Sequence, residues 1–125
     1  MTPIQEKYLL VIEEISAQNE IVKNSQIAKY LNVKPSSVTE MVERLSDTGM
    51  VKCVAYKGII LTDKGKKELG ELKKRCQIMT AFLKYQLGCS EIEIENIMEE
   101  FIQIKNPVFL KKLDLYIKRK EYVLH

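Results

Sequence analysis

The chain has 125 residues, of which 46% are hydrophobic and 30% are charged, with 20 Lys and Arg against 17 Asp and Glu. This length fits one domain, or a small domain with a helical appendix, and the longest apolar run (residues 8–12) is too short to span a bilayer. Because the single histidine is His125 and no glycine-rich phosphate-binding motif is present, His-dependent catalysis and nucleotide-binding loops are excluded, and an enzyme is not expected.

The charges are unevenly distributed along the chain. Residues 52–75 carry eight basic and three acidic side chains, whereas residues 76–104 carry one basic and five acidic. A basic block of this length suggests a polyanionic partner, although a solvated helix face would account for lysines 73 and 74 and arginine 75 equally well.

The cysteine count indicates the compartment. Cys53, Cys76 and Cys89 have no close-paired spacing, and an odd number of cysteines predicts free thiols in a reducing environment. No secretory signal is visible, so the expected location is the cytoplasm, with no membrane partner.

Helical periodicity and capping signals predict three helices in the first fifty residues. The first covers residues 3–18 and starts with a capping box, the second is short and covers residues 26–31 behind a cap at Asn24 or Ser25, and the third covers residues 35–48. The predicted buried face of the third helix consists of Val38, Met41, Val42 and Leu45.

The pattern then changes to β-branched residues, which predict a hairpin with strands over residues 51–56 and 59–62. Three further helices are predicted to begin at Thr62 or Asp63, at Ser90 and at Asn106-Pro107, and Phe109, Leu113 and Tyr116 are expected to line the last one. The predicted fold class is mainly α: a winged helix-turn-helix DNA-binding domain at residues 1–70, followed by a helical dimerisation domain at residues 71–125.

The third helix has the features of a recognition helix. Small hydroxyl side chains crowd its first turn, and an α-helix with short side chains can approach base edges in the major groove. Serine is also common in ordinary first turns, so this interpretation depends on the short helix before it and the basic hairpin after it. The candidate DNA-binding residues are Lys34, Pro35, Ser36, Ser37, Thr39, Glu40, Lys52 and Lys57. Tyr56, between the two strands, is expected to pack into the core rather than touch the sugar-phosphate.

Residues 25–65 resemble the DtxR/MntR family (diphtheria toxin repressor and manganese transport regulator). The similarity is carried by the run from Ile27 to Leu45, which contains Pro-Ser-Ser-Val-Thr, and by Tyr56-Lys-Gly followed by Leu-Thr-Asp-Lys-Gly65. The length is similar to that of the short, manganese-type members. The resemblance implies a homodimer that represses transcription from a pseudo-palindromic operator, with Mn²⁺ or Fe²⁺ as co-repressor.

The resemblance also implies metal ligands, most of which are substituted in this sequence. The substituted positions are Lys7, Leu10, Ile102 and Gln103. Cys76 and Glu99 remain as candidate ligands, too few for Mn²⁺, Fe²⁺ or Zn²⁺. The expected site is therefore vestigial and the metal response lost or non-standard. One hypothesis is that the Lys7 ammonium, facing Glu99, replaces the charge of the metal.

Two questions stay open at the level of the sequence. The last three helices carry more apolar side chains than a thin helical layer can hide, which predicts homodimerisation unless these residues pack on the winged domain of their own chain. The alternatives to a DtxR/MntR-type repressor are a MarR-like repressor that senses a small molecule and a winged helix that acts as a protein-interaction module.

Overall fold

A computed structural model describes the backbone of residues 1–124 and the side chains of residues 1–119, so His125 lies outside the described residues. The chain divides into two compact units, Met1–Gly70 and Glu71–His125. The helices are α1 (Pro3–Ser16), α2 (Asn24–Leu31), α3 (Pro35–Asp47), α4 (Asp63–Ala81), α5 (Glu91–Phe101) and α6 (Pro107–Leu124), with strands β1 (Val51–Val54) and β2 (Gly58–Leu61) between α3 and α4. The predicted order of three helices, a hairpin and three helices is confirmed. No helix among the described residues is long and apolar enough to cross a membrane.

The first two helices begin with hydrogen bonds between a backbone amide and a side chain three residues away. At α1 the Gln5 amide donates to Thr2 Oγ1 at 3.2 Å and the Thr2 amide donates to Gln5 Oε1 at 3.0 Å, which is the predicted capping box. At α2 the predicted cap at Asn24 or Ser25 is wrong. The Lys23 amide donates to Gln26 Oε1 at 2.9 Å, so Lys23 is the N-cap and the helix starts two residues earlier than expected.

A three-residue turn joins α2 to α3. Asn32 has φ = 54°, a left-handed conformation that ends α2 and that asparagine tolerates better than most residues. The Val33 amide then donates to the Ala28 carbonyl oxygen at 3.1 Å, and Pro35 occupies the first position of α3. The predicted inner face of α3 is confirmed: Val38, Val42 and Leu45 are buried and Met41 is partly buried.

The hairpin, called the wing below, pairs Val51 with Leu61 at one end and Val54 with Gly58 at the other. On the other edge of β2, next to the tip pair, Val22 forms two 2.8 Å hydrogen bonds with Ile59 through its amide and its carbonyl group. Gly58 has φ = 141°, and a Cβ atom there would lie 2.3 Å from the Val22 carbonyl oxygen. Only glycine permits this close approach of the two backbones.

The apolar interior of the first compact unit is drawn from α1, α2, α3, the wing and the start of α4. Its fully buried side chains include Leu9, Ile12, Val22, Ile27, Val38, Leu45 and Leu69. The α1–α2 pair is also joined at the surface, where the Tyr30 hydroxyl donates to the Glu14 carboxylate. This hydrogen bond raises the pKa of Tyr30, because it favours the protonated phenol beside the negative carboxylate.

The second compact unit contains the end of α4, a π-helical turn (Phe82–Gln86), α5 and α6. The predicted capping box at Ser90 is confirmed: the Ser90 amide donates to Glu93 Oε1 at 2.8 Å, and the Glu93 amide donates to Ser90 Oγ at 3.2 Å. At α6, Asn106 Oδ1 accepts from the amides of Val108 and Phe109.

The core of this unit is formed by Met79, Leu113 and Ile117. The predicted inner face of α6 is therefore only partly right. Leu113 is buried, but Phe109 and Tyr116 are 38% and 44% exposed because the buried stripe continues from Leu113 to Ile117 rather than to Tyr116.

Candidate nucleic-acid interface

The first turns of α3 present their polar side chains to solvent. Ser36, Ser37, Thr39 and Glu40 are all exposed, and so are Lys34 and Pro35 before them. The opposite face of the same helix is fixed in the core by its three buried aliphatic residues. The surface that bears the hydroxyl groups therefore lies on a helix that is held in place by its buried face. No part of the first unit covers this surface.

The hydroxyl group of Thr39 is already used in one hydrogen bond within the helix. Thr39 Oγ1 donates to the Pro35 carbonyl oxygen at 3.1 Å, so its proton is engaged within the helix while its lone pairs stay available to accept. Lys34, the N-cap residue, makes no side-chain hydrogen bond to the first turn. The positive end of the helix dipole therefore faces solvent together with the serines.

Charge limits how much of α3 could face a polyanion. Glu43 and Asp47 are exposed further along the helix, where they would repel phosphates, and the exposed Arg44 only partly offsets them. Contact with a duplex would accordingly be confined to the first two turns.

The wing carries the other predicted contacts. Lys52 and Lys57 are exposed, as expected for phosphate contacts. Tyr56, however, is fully exposed and has φ = 62°, so the prediction that it packs into the core is wrong. The reason is that Tyr56 lies beyond the paired residues of β1, in the tight turn closed by the 3.0 Å bond from the Lys57 amide to the Val54 carbonyl, at the tip of the wing.

The structure also brings together residues that the sequence did not connect. A surface notch of about 450 Å³ lies between the wing and the start of α2, lined among others by Lys23, Asn24, Cys53, Tyr56 and Lys57. Lys23 was not a candidate, because only the pairing of Val22 with Ile59 places the start of α2 beside the wing. The sequence feature that could have identified Lys23 is Gln26, three residues later, because a glutamine at that spacing is typical of an N-cap.

The retained candidate metal ligands lie in the second unit. Cys76 on α4 is partly buried and Glu99 on α5 is exposed. Among the described residues, no group of three or more His, Cys, Asp or Glu side chains could hold a metal ion. At the end of α5 the neighbouring polar groups are engaged in protein contacts: Arg75 Nε donates to the Ile102 carbonyl oxygen and Gln103 Nε2 donates to the Glu99 carbonyl oxygen, each at 2.8 Å.

The second unit has an extensive exposed apolar surface. A groove of about 520 Å³ is lined mainly by Phe82, Leu83, Leu87, Ile97, Phe101 and Ile104, with Asn96 and Glu100 at its edge. Outside the groove, Tyr85, Ile92, Val108 and Leu115 are also exposed. Clustered exposed apolar side chains are typical of a surface that another molecule covers.

Comparison with known proteins agrees with this geometry. The family model described as "Iron dependent repressor, N-terminal DNA binding domain" matches residues 1–59. The HTH-type transcriptional regulator MntR of Lysinibacillus sphaericus is 32% identical over 130 residues, which cover 90% of this chain and 93% of that protein.

Two solved structures are similar in both sequence and fold. The metal-dependent transcriptional regulator MtsR is 29% identical with a TM-score of 0.80, and covers 94% of this chain. ScaR with bound Zn²⁺ is 27% identical with a TM-score of 0.80, and covers 91% of this chain. The chain spans about half the length of these two proteins, 55% and 53% respectively.

These comparisons confirm the predicted winged helix fold and the resemblance seen in residues 25–65. They also confirm that the protein is not an enzyme, because the relatives are transcriptional regulators. The chain belongs to the DtxR/MntR family of DNA-binding transcriptional repressors.

Proposed function

We propose that the protein is a cytoplasmic, homodimeric repressor that holds a pseudo-palindromic operator with the start of α3 and the wing of each protomer. In this proposal the bases are contacted by Ser36, Ser37, Thr39 and Glu40. The phosphates are contacted by Lys34, Lys52 and Lys57, while Pro35 fixes the start of the helix.

The observation that carries the proposal is the exposure of the serine-bearing turn on a helix whose other face is buried. An α-helix fits the major groove, and short hydroxyl side chains let its backbone approach the base edges. Glu40 would accept from a cytosine amino group, and Thr39 would act as an acceptor because its proton is already shared with the Pro35 carbonyl.

The exposed apolar groove of the second unit supports the homodimer. A second copy of the chain is its proposed occupant, because a two-fold arrangement buries the same surface on both protomers. The same symmetry places two recognition helices about one helical turn of DNA apart, or a multiple of it, which matches a palindromic operator.

The proposed regulator has lost the usual metal response, or retains it only in a non-standard form. MtsR is named as metal-dependent and ScaR was solved with Zn²⁺, yet the donor set of this chain does not fit such an ion. Two candidate ligands, Cys76 and Glu99, fall short of the three or four protein ligands that Zn²⁺ takes and of the roughly six oxygen-rich ligands of Mn²⁺. We propose that both are vestigial.

One experiment tests DNA binding and metal dependence together. A duplex selected from a random library by the full chain is titrated by fluorescence anisotropy, first in a chelator and then with added Mn²⁺, Fe²⁺ or Zn²⁺. Tight binding in the chelator, unchanged by the metals, is expected. A steep gain with one metal would contradict the vestigial site but leave the DNA-binding function intact.

A variant pair then tests the site itself. Ser36→Ala combined with Ser37→Ala should weaken binding to the selected duplex, since two hydroxyl contacts are lost. The control is Asp47→Asn at the far end of α3, which should bind at least as well as the wild type because it removes a repulsive charge. Equal binding by the double variant would refute the proposed recognition surface.

A further inference from the structure

The last turn of α5 carries charges that oppose its own helix dipole. Glu99 and Glu100 lie at the carboxyl end, where the dipole is negative and acidic side chains are destabilising, and the turn contains no basic residue. The carbonyl groups of this turn also have no partner within the helix. A cation from another element would therefore stabilise the end of α5.

Arg75 on α4 supplies that cation. Its guanidinium Nε donates to the carbonyl oxygen of Ile102, the C-cap residue of α5, at 2.8 Å and across 27 positions of sequence. Arg75 is only 8% exposed, and burying a guanidinium is costly unless its donors are used. Because the donor is charged and the acceptor lies at a helix C-terminus, this hydrogen bond is stronger than one between neutral groups.

We infer that Arg75 is a positioning residue that holds the end of α5 on α4, and so keeps the apolar groove assembled for a second copy of the chain without a metal ion. This inference rests on the proposed homodimer and adds the group that fixes the shape of its surface. Arg75 is not among the described residues that line the groove, so it acts through α5.

The two sides of the groove belong to the two elements that Arg75 joins. Phe82 begins the π-helical turn that continues α4, whereas Phe101 and Ile104 lie on either side of Ile102 at the end of α5. The ring centroids of Phe82 and Phe101 are 6.4 Å apart, a normal distance for an aromatic pair. A displaced Ile102 carbonyl would move Phe101 and Ile104 with it. A groove that is fixed in advance loses less conformational freedom when a partner binds.

The hydrogen bond of Arg75 also joins the helices that carry the two candidate metal ligands. Cys76 follows Arg75 on α4 and Glu99 lies on α5, so an ion shared by them would connect the same helices. Two ligands do not satisfy such an ion. The neighbouring Gln103 side chain is used within the protein, since its Nε2 donates to the Glu99 carbonyl oxygen at 2.8 Å. The connection made by Arg75 does not depend on a metal concentration.

The test measures dimerisation of the full chain by analytical ultracentrifugation in a chelator. Arg75→Met keeps an aliphatic side chain but has no donor, so it should raise the dissociation constant of the dimer at least about tenfold. Lys74→Met changes the exposed neighbour on the same helix and should leave the constant unchanged. Arg75→Lys, which retains the charge and a donor, should recover part of the loss. The wild-type constant should be the same in the chelator and with added Mn²⁺ or Zn²⁺.

Two further conditions separate positioning from general stability. Every constant is measured at a temperature at which circular dichroism shows the variant to be folded. In Arg75→Met, hydrogen exchange should become faster at the amides of Gln103 and Ile104 and stay unchanged in the core of α1. A residue with a merely structural role would lower the melting temperature and leave the dissociation constant unchanged, and that result would overturn the inference.

The wild type supplies a test that needs no folded variant. In an NMR experiment with a chelator, the Nε–H of Arg75 should exchange with water at least about tenfold more slowly than that of the exposed Arg44, because it is buried and bonded to Ile102. Equal exchange rates, or a dimer that tightens steeply with a metal, would overturn the inference. If Arg75→Met dimerises as well as the wild type, the inference is also overturned and the proposed homodimer stands; if the wild type sediments as a monomer, the homodimer itself fails.

Discussion

Gly65 at the start of α4 packs directly on the Met50 carbonyl group. A Cβ atom on Gly65 would lie 2.1 Å from the Met50 oxygen and 3.1 Å from its carbonyl carbon. This contact places the end of the turn after α3 against the first turn of α4, and the partner atoms are backbone atoms that cannot rotate away. The end of α3 is thus connected to α4 through a site that only glycine fits.

Gly65→Ala should therefore destabilise the protein by about 1–3 kcal/mol, because the added methyl group forces a backbone shift. Gly70→Ala on the same helix is the matched control. A Cβ there meets nothing within 4 Å, so the variant should gain about 0.5–1 kcal/mol from improved helix propensity. Chemical denaturation of both variants measures the difference, and equal effects would contradict the tight contact.

The Thr62 hydroxyl should contribute to stability, whereas the Thr39 hydroxyl should contribute to DNA binding. Thr62 Oγ1 donates to the Gly49 carbonyl, lies 3.1 Å from the Met50 carbonyl and accepts from the Gly65 amide at 3.0 Å. Thr62→Val should cost about 1–2 kcal/mol of stability, since it removes a helix cap and leaves a partly buried donor unpaired.

Thr39→Val is the counterpart on the proposed recognition surface. Its exposed hydroxyl bonds only its own helix in the described structure, so the unfolding free energy should change by less than about 0.5 kcal/mol. Affinity for the selected duplex should fall about fivefold through the lost acceptor. Denaturation and anisotropy on both variants give the comparison; a Thr39→Val variant that loses stability but not affinity would assign it a structural role.

The proposed phosphate contacts predict a salt dependence. The triple variant with Lys34, Lys52 and Lys57 changed to Gln should reduce the slope of log K against log salt by about 2.7 per protomer, at about 0.9 per contact. Lys84→Gln, which changes an exposed lysine of the second unit, is the control and should leave the slope unchanged. A slope that is near zero in the wild type would favour a protein-interaction module instead.

The proposed homodimer predicts an effect of charge in the apolar groove. Ile97→Lys with Ile104→Lys should raise the dissociation constant of the dimer at least about tenfold, because each two-fold interface loses these side chains twice. Ile4→Lys, at an exposed position on α1 outside the groove, should leave it unchanged. Analytical ultracentrifugation measures both, and a wild type that sediments as a monomer would contradict the dimer.

The cap of α5 predicts a pH response. The amide and hydroxyl of Ser90 hydrogen-bond the Glu93 carboxylate and lower the pKa of Glu93. A carboxyl group with a lower pKa in the folded state stabilises the fold above its unfolded pKa, and that contribution is lost as the pH falls through the folded pKa. The amide is the larger cause and remains in Ser90→Ala, so an NMR titration of that variant should show the pKa of Glu93 rising only part of the way. An unchanged pKa would refute the part assigned to the hydroxyl.

Local signals in the sequence were sufficient for most of the fold. The capping boxes at Thr2 and Ser90 and the proline starts of α3 and α6 are each encoded within one turn, and the structure contains all of them. The aliphatic stripe of α3 follows from its 3.6-residue period alone, and it also determines which residues of that helix face outward. The family resemblance was likewise readable from one contiguous segment.

The features that the sequence analysis missed have three origins: a local cap formed by an unexpected residue, a contact between distant residues, and the sign of a single dihedral angle. The start of α2 depended on whether Gln26 would reach back to Lys23, and the notch beside it depended on Val22 pairing with Ile59 across 37 positions of sequence. Tyr56 is a large aromatic residue of a type that is often buried. Its exposure depends on the left-handed backbone conformation of the turn, which the sequence analysis did not predict.

The amino-acid sequence by itself determined the elements, their order and the surface of α3 that is free to meet a partner, because these depend on interactions within a few residues. The tertiary structure decided where the wing stands, which lysines surround its tip, and that Arg75 bonds the Ile102 carbonyl group at the end of α5. Such arrangements depend on backbones that meet only after folding, and no local pattern records them.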